Sequence, residues 1–352
     1  MKPSCSKLGQ ALGAFALTAA LFPATLSAQT AVNVLGGFSN QYQNAEIEKP
    51  FFEGLEEATD GAVSVRFRSI DELGLKGYDG FRQLQSGVFQ IMEISPGYVA
   101  GDDPFVMGLD LPGIMPELDT NRAAIEAFRG PLAQRVREKF DGELLTIWPY
   151  PASMLFCSGE LNSLSDLKGK KVRVFSPALN DLVSYFGASG VTLPFSEVYP
   201  SLQRGVVDCA IAASLSGYEA KWHEVTDTLF TLPLTWANQL HVANGEFWDG
   251  LPEDDRAALT TEFAKMEDEM WSVAEDATAQ GIACNTGEGE CTFGDAADMK
   301  LVEYSAEDEE KLIEAVNSVV LPGWAEDCDA AFGECSAIWN ETVGAATGYS
   351  IK

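Results

Sequence analysis

Ser163-Leu164-Ser165-Asp166-Leu167-Lys168-Gly169-Lys170-Lys171-Val172-Arg173-Val174 passes from a polar turn into a short apolar strand. The turn covers residues 164–170, and the strand runs over 171–175. Arg173 stands out because it lies between Val172 and Val174. A guanidinium buried in such a strand must find an anion or carbonyl oxygens. Its planar fork matches a carboxylate bidentately. A ligand carboxylate and a structural ion pair are both compatible with this context.

Downstream, residues 180–186 read as a helix closed by Gly187, and another helix begins at Pro200 and ends at Gly205. A strand follows over 206–211. Upstream, 153–157 is strand-like, and Pro149-Tyr150-Pro151 breaks the chain ahead of it at a candidate hinge or crossing. Before that break the pattern is β-α-β-α-β: strands over 32–35, 63–67 and 89–94, with helices over 50–58 and 78–86. That alternation predicts largely parallel sheets with helices packed on their faces. A helix over 122–129 should be broken or kinked by Gly130-Pro131 and resume over 132–140, ahead of a strand over 144–148. A long amphipathic helix is predicted over 252–280. Leu259, Phe263, Met266, Met270 and Val273 line one of its faces, and acids crowd its first turn. A last helix is predicted over 307–319.

The chain has 352 residues and carries 53 Asp and Glu against 23 Lys and Arg, a net charge near −30. This balance argues against nucleic acid and anionic membrane surfaces, which are held by Lys and Arg. Lys2 and Lys7, an apolar run over 11–22 and small residues up to Ala28 describe a secretory signal peptide over 1–28, cleaved near Ala28. A periplasmic location follows. Of seven cysteines, six lie beyond that segment: Cys157, Cys209, Cys284, Cys291, Cys328 and Cys335. An even count in an oxidising compartment reads as disulfides, and fifteen pairings are open. The short C-x6-C loops favour Cys284–Cys291 and Cys328–Cys335. Zinc fits poorly: there is no C-x2-C, and the two histidines, His223 and His241, flank no cysteine cluster.

Catalytic signatures are scarce. There is no G-x-S-x-G, H-E-x-x-H, P-loop or G-x-G-x-x-G, and Gly36-Gly37 reads as a tight turn. Paired carboxylates of a secreted hydrolase are one open class, since acids abound. An exported, histidine-poor α/β chain fits ligand binding better than catalysis. No metal and no cofactor are expected.

The stretch 163–174, the stretch 193–208 (LPFSEVYPSLQRGVVD) and Lys221-Trp222-His223-Glu224-Val225 together resemble the extracytoplasmic solute-binding proteins of TRAP transporters, the DctP type. The resemblance implies an α/β, two-lobed periplasmic-binding-protein type II-like fold with a long helix spanning both lobes. It implies lobe 1 from 29–150 plus 239–280 and lobe 2 from 151–238 plus 281–352. It implies a ligand trapped in the cleft, with its carboxylate on Arg173, and delivery to a membrane permease driven by an ion gradient. The expected state is a monomer. A binding protein for an ABC importer or a sensor is the alternative within the same broad class. With the two short loops closed, Cys157 and Cys209 remain. The family topology puts their strands beside the cleft, which makes a Cys157–Cys209 bridge feasible.

Departures from the family bear on the ligand. Sialic-acid-binding members place a second arginine near the position of Ser153 and an Asn at that of Ala212. Their loss removes polar groups from the cleft, so a polyhydroxylated ligand should be rejected, its hydroxyls left unpaired. Phe38, Tyr42, Tyr98, Phe195 and Trp236 lie on elements expected to face the cleft. Together they make an aromatic monocarboxylate, such as a benzoate-like acid, the specific expectation, followed by simple 2-oxo or hydroxy acids.

Overall fold

A computed structural model describes Met1 and residues 29–352. The signal-peptide reading of 1–28 therefore falls on residues outside the described chain. Among the described residues, eleven strands form two sheets. In the first, β1 (Thr30–Gly36) pairs in parallel with β2 (Val63–Ser69) and β3 (Ile91–Ile94). β10 (Gln239–Asn244) inserts antiparallel between β3 and β4 (Gly142–Trp148), giving the order β2-β1-β3-β10-β4. The second sheet runs β11-β9-β5-β8-β6-β7. Its strands are β5 (Ser153–Cys157), β6 (Lys171–Val174), β7 (Ser189–Thr192), β8 (Cys209–Ala213), β9 (Thr228–Thr235) and β11 (Lys300–Val302). β5 and β8 are buried along their whole length, as expected of strands covered on both faces.

The chain crosses between the lobes at adjacent places. Residues 149–152 join β4 to β5, and 236–238 join β9 to β10. The two crossings are tied together, since the Tyr150 N–H donates to the Trp236 carbonyl at 2.9 Å. A third crossing is the helix Glu253–Thr286, about 50 Å long at 1.5 Å per residue. Leu259, Phe263, Met266 and Met270 are buried along it, as the spacing predicts. Its first half lies on lobe 1, where Trp271 Nε1 donates to the Ile147 carbonyl at 2.9 Å. Thr278 Oγ1 then accepts from the Ala152 N–H at the crossing, and Asn285 Nδ2 reaches the Ser214 carbonyl in lobe 2. A Cβ at Gly281 would run into Ser214 and the Leu215 backbone, so only glycine permits this close seam. The helix stops at Gly287, whose φ of 73° is left-handed.

Three expectations need correction. Gly130-Pro131 does not break its helix: Leu118–Phe140 is continuous. Ile125, Phe128, Leu132, Val136 and Phe140 are buried on one face through the proline, and that packing offsets a cost of about 3 kcal/mol. The strand expected over 206–211 starts later, at Cys209; Asp208 just before it still meets Lys171, its N–H donating to the Lys171 carbonyl and its side chain accepting the Lys171 N–H, both at 2.8 Å. The chain after Val320, assigned above to lobe 2, packs on lobe 1. Trp324 Nε1 donates to Pro104 and Trp339 Nε1 to Gly108, both at 2.8 Å. A Cβ at Gly108 would press on both indoles and on Phe128, so its hydrogen atom admits them.

Among the described residues, three disulfides are formed: Cys157–Cys209, Cys284–Cys291 and Cys328–Cys335, with Cα–Cα distances of 4.0, 4.7 and 5.7 Å. Cys157 and Cys209 stand directly opposite in the β5–β8 ladder. Among the described residues, no helix is long and apolar enough to cross a membrane.

Candidate ligand-binding cleft

A cavity of about 70 Å³ lies where the two lobes meet. Arg173, on β6, is 2% exposed and forms part of its wall. Three of its N–H groups are committed. Nε donates to the Leu193 carbonyl at 3.0 Å, Nη1 to the Ile211 carbonyl at 2.7 Å and Nη2 to Tyr98 Oη at 3.2 Å. A guanidinium has five donors, so each terminal nitrogen keeps one N–H without a protein acceptor. Every partner is neutral, and among the described residues no carboxylate pairs with this side chain. The Phe175 ring lies 5.2 Å from the guanidinium carbon. Burial lowers the pKa of Arg173 from its ordinary value, and the nearby Tyr98 works against that.

Tyr98 reaches this arginine from lobe 1. Its Oη accepts from Arg173 and from the Phe195 N–H, at 3.0 Å, which leaves its own proton free to donate. Phe38 and Phe195 meet across the lobes with ring centroids 5.2 Å apart. Ser153 and Ser216 also line the cavity, and each buries a hydroxyl oxygen with no partner in the protein.

The lobe 1 wall carries Glu93, on β3 between Met92 and Ile94. Behind it stands Glu48. Glu48 Oε2 accepts from the Gly37 N–H at 3.0 Å and Asn44 Nδ2 at 2.7 Å, and Oε1 lies 2.9 Å from His241 Nε2. The Trp148 indole can only donate, and it donates to His241 Nδ1. That fixes the neutral tautomer, with the proton on Nε2 and directed at Glu48. Burial, and then the charge of Glu48, push the Glu93 carboxyl well above its usual range. Glu48, Glu93 and His241 bring ligand atoms within 4.8 Å of one another, but the imidazole N–H is already spent on Glu48.

Of the residues expected at the ligand, the fold brings Arg173, Phe195, Tyr98, Phe38, Ser153 and Ala212 to one cavity. Two go elsewhere. Trp236 is buried at the crossing, its Nε1 donating to the Met115 carbonyl, and its neighbour Ala237 lines the cavity in its place. Tyr42 turns its ring edge-on to Phe293, and its N–H donates to Glu219. The cleft is also more polar than expected, because Gln41, Glu93, Ser216 and Gln239 join its wall. Glu93 had a signal in the sequence: like Arg173, it is a charge set between apolar residues of a strand.

Two α/β lobes, joined by paired crossings and a long helix around a cleft with a buried cation, define an extracytoplasmic solute-binding protein. The profile of the DctP family, bacterial extracellular solute-binding protein family 7, matches residues 37–327, and the chain belongs to that family. Among its relatives is the ectoine-binding periplasmic protein TeaA of Halomonas elongata. The two are 27% identical over 216 residues, which cover 58% of this chain and 61% of TeaA. The C4-dicarboxylate-binding periplasmic protein DctP of Rhodobacter capsulatus is 25% identical over 81% of this chain and 86% of its own. A TRAP periplasmic solute-binding protein from Desulfovibrio salexigens, solved with orotic acid, superposes with a TM-score of 0.80 at 18% identity. The match covers 90% of this chain and all of that one. A Bordetella pertussis receptor binding pyroglutamic acid gives 0.78 at 20% identity, over 88% and 99% of the two chains. Proteins of this family bind small molecules and work with membrane TRAP permeases.

Proposed function

We propose that this chain is an exported, monomeric binding protein that captures a small organic acid, holds its carboxylate on Arg173 and hands it to a TRAP-type permease. The observation that carries this reading is the buried guanidinium with only neutral partners and two N–H groups to spare. A cation so placed lacks a counter-charge until an anion arrives, and a carboxylate fits its fork. The Tyr98 hydroxyl and the Ser153 and Ser216 hydroxyls stand ready to complete its hydrogen bonds. The finer reading is an aromatic monocarboxylate, supported by the flat apolar walls of Phe38, Phe175 and Phe195. Against that stands the chemical range of the relatives' ligands, from ectoine to C4-dicarboxylates.

Thermal-shift screening of the purified chain against organic acids, benzoate among them, tests the reading. A ligand that binds only the folded protein raises its Tm by mass action. A hit among acids that disappears with the corresponding amide supports it. A hit list made up of uncharged solutes overturns it.

A further inference from the structure

We propose that the cleft continues behind Tyr98 into a side chamber of lobe 1, and that this chamber takes a short hydrocarbon arm of the bound acid. This rests on the carboxylate reading of Arg173. A second cavity, of about 40 Å³, adjoins the first, and Phe38, Glu93, Ser95, Tyr98 and Gln239 line both. Tyr98 links the two. Its Oη accepts from Arg173, and its ring borders the chamber, where a Cβ at Gly77 would come within 2.6 Å of it. An acid held at Arg173 and lying along that ring points its far end into the chamber. The place is also the one where open α/β sheets hold ligands, outside the carboxyl ends of parallel strands. Gly36 ends β1, Ile70 directly follows β2 and Ser95 directly follows β3, and all three line the chamber.

The wall beyond the shared boundary is Leu35, Ile70, Met92, four glycines and Gln83. Leu35 and Met92 are register partners on β1 and β3, so they stand side by side on one face of the sheet. The glycine backbone offers little to a polar guest. The Gly36 and Gly37 carbonyls accept the Ile70 N–H, the Gly37 N–H goes to Glu48 Oε2, and the Gly77 carbonyl accepts the Gly80 N–H. Hydrocarbon and committed backbone groups solvate water poorly and an alkyl group well. At roughly 10–15 Å³ for each water-sized group, the chamber has room for about three, and an arm of about that many carbons fits.

The test is calorimetric titration of the purified chain with straight-chain acids from acetate to octanoate, and with their 2-oxo counterparts from pyruvate upward. Affinity should rise about fourfold per methylene once the chain reaches the chamber, and fall once the chamber is full. Ile70 lines the chamber and not the Arg173 cavity. Ile70→Phe fills the chamber and should remove the rise, while the shortest acid that binds keeps its affinity within about twofold. Ile70→Ala enlarges it and should move the optimum to a longer acid. An affinity that is flat or falls from the shortest acid upward, or a profile that neither variant moves, overturns the chamber while leaving the Arg173 reading standing. Should Ile70→Phe not fold, the shift in Ile70→Ala decides alone. No binding by any acid of either series overturns both.

Discussion

Tyr98 of the first lobe accepts a hydrogen bond from Arg173 of the second at 3.2 Å, through the same terminal nitrogen that keeps one N–H for a ligand. The group proposed to hold the carboxylate therefore also joins the lobes. Lys76 and Glu197 form an ion pair between the same two lobes, but both side chains are about half exposed, where such pairs contribute little.

Loss of the clamp should be severe. Charge-assisted bonds to a buried acid are worth about 1.5–3 kcal/mol each. Arg173→Ala removes two and should weaken binding roughly 100-fold or more, at about 1.4 kcal/mol per decade. Arg173→Lys should recover only part of this, because an ammonium cannot present the fork. Calorimetry with the best acid from the screen decides. A loss under about threefold in Arg173→Ala is incompatible with the clamp.

Tyr98→Phe keeps the ring and removes one oxygen that accepts twice. Affinity should fall roughly tenfold, as for a single hydrogen bond to a charged group. In small-angle scattering, the ligand-saturated variant should be more extended than the parent. An unchanged affinity and radius would show that this contact does not contribute to closure.

Stability should depend on Glu219. Burial pushes its carboxyl up to about 8, against the pull of the Tyr42 N–H, which it accepts at 2.9 Å. The folded protein holds this proton more tightly than the unfolded chain does. The contribution is therefore complete below about pH 4.5 and is lost as pH rises through about 8. Glu219→Gln retains an acceptor for Tyr42 and cannot titrate. The drop in Tm of the parent over this range should be shallower in the variant, and parallel curves would exclude Glu219 as its source.

The six cysteines beyond residue 28 should give no free thiol when the purified protein is unfolded without reductant. The bridges should also differ in worth. Cys157–Cys209 closes 52 residues, whereas each of the others closes seven. Loop-closure entropy assigns about 4 kcal/mol to the former and about 2.5 to each of the latter. Denaturant titration of paired Cys→Ala variants checks the order. A stoichiometric thiol, or the largest loss at a short loop, contradicts it.

Local pattern carried the sequence reading far where one physical signal ruled. Alternation and apolar runs marked β1, β2 and β5, and the 3–4 spacing marked the long helix. A charge between valines marked Arg173. Local pattern carries no such signal where distant contacts decide. β9 contains Pro233, which speaks against a ladder position, yet β11 pairs with β9 only as far as Phe230, so the proline costs no bond there. β10 has neutral and polar residues whose burial depends on strands far away in sequence. Trp236 and Tyr42 could be placed near the cleft but not oriented, since the Met115 carbonyl and Phe293 that take them lie far along the chain.

The strand β10 bears on how the molecule is made. It fills the slot between β3 and β4 but is encoded after five of the six strands of lobe 2. A chain emerging N-terminus first has β4 with no neighbour to pair with until residue 239 and beyond arrives. Lobe 1 cannot mature ahead of lobe 2. Its half-built sheet must wait with two open edges, the condition in which strands stick to the wrong partner. The strand order therefore implies that neither half should be obtainable as a folded fragment by cutting the chain between them.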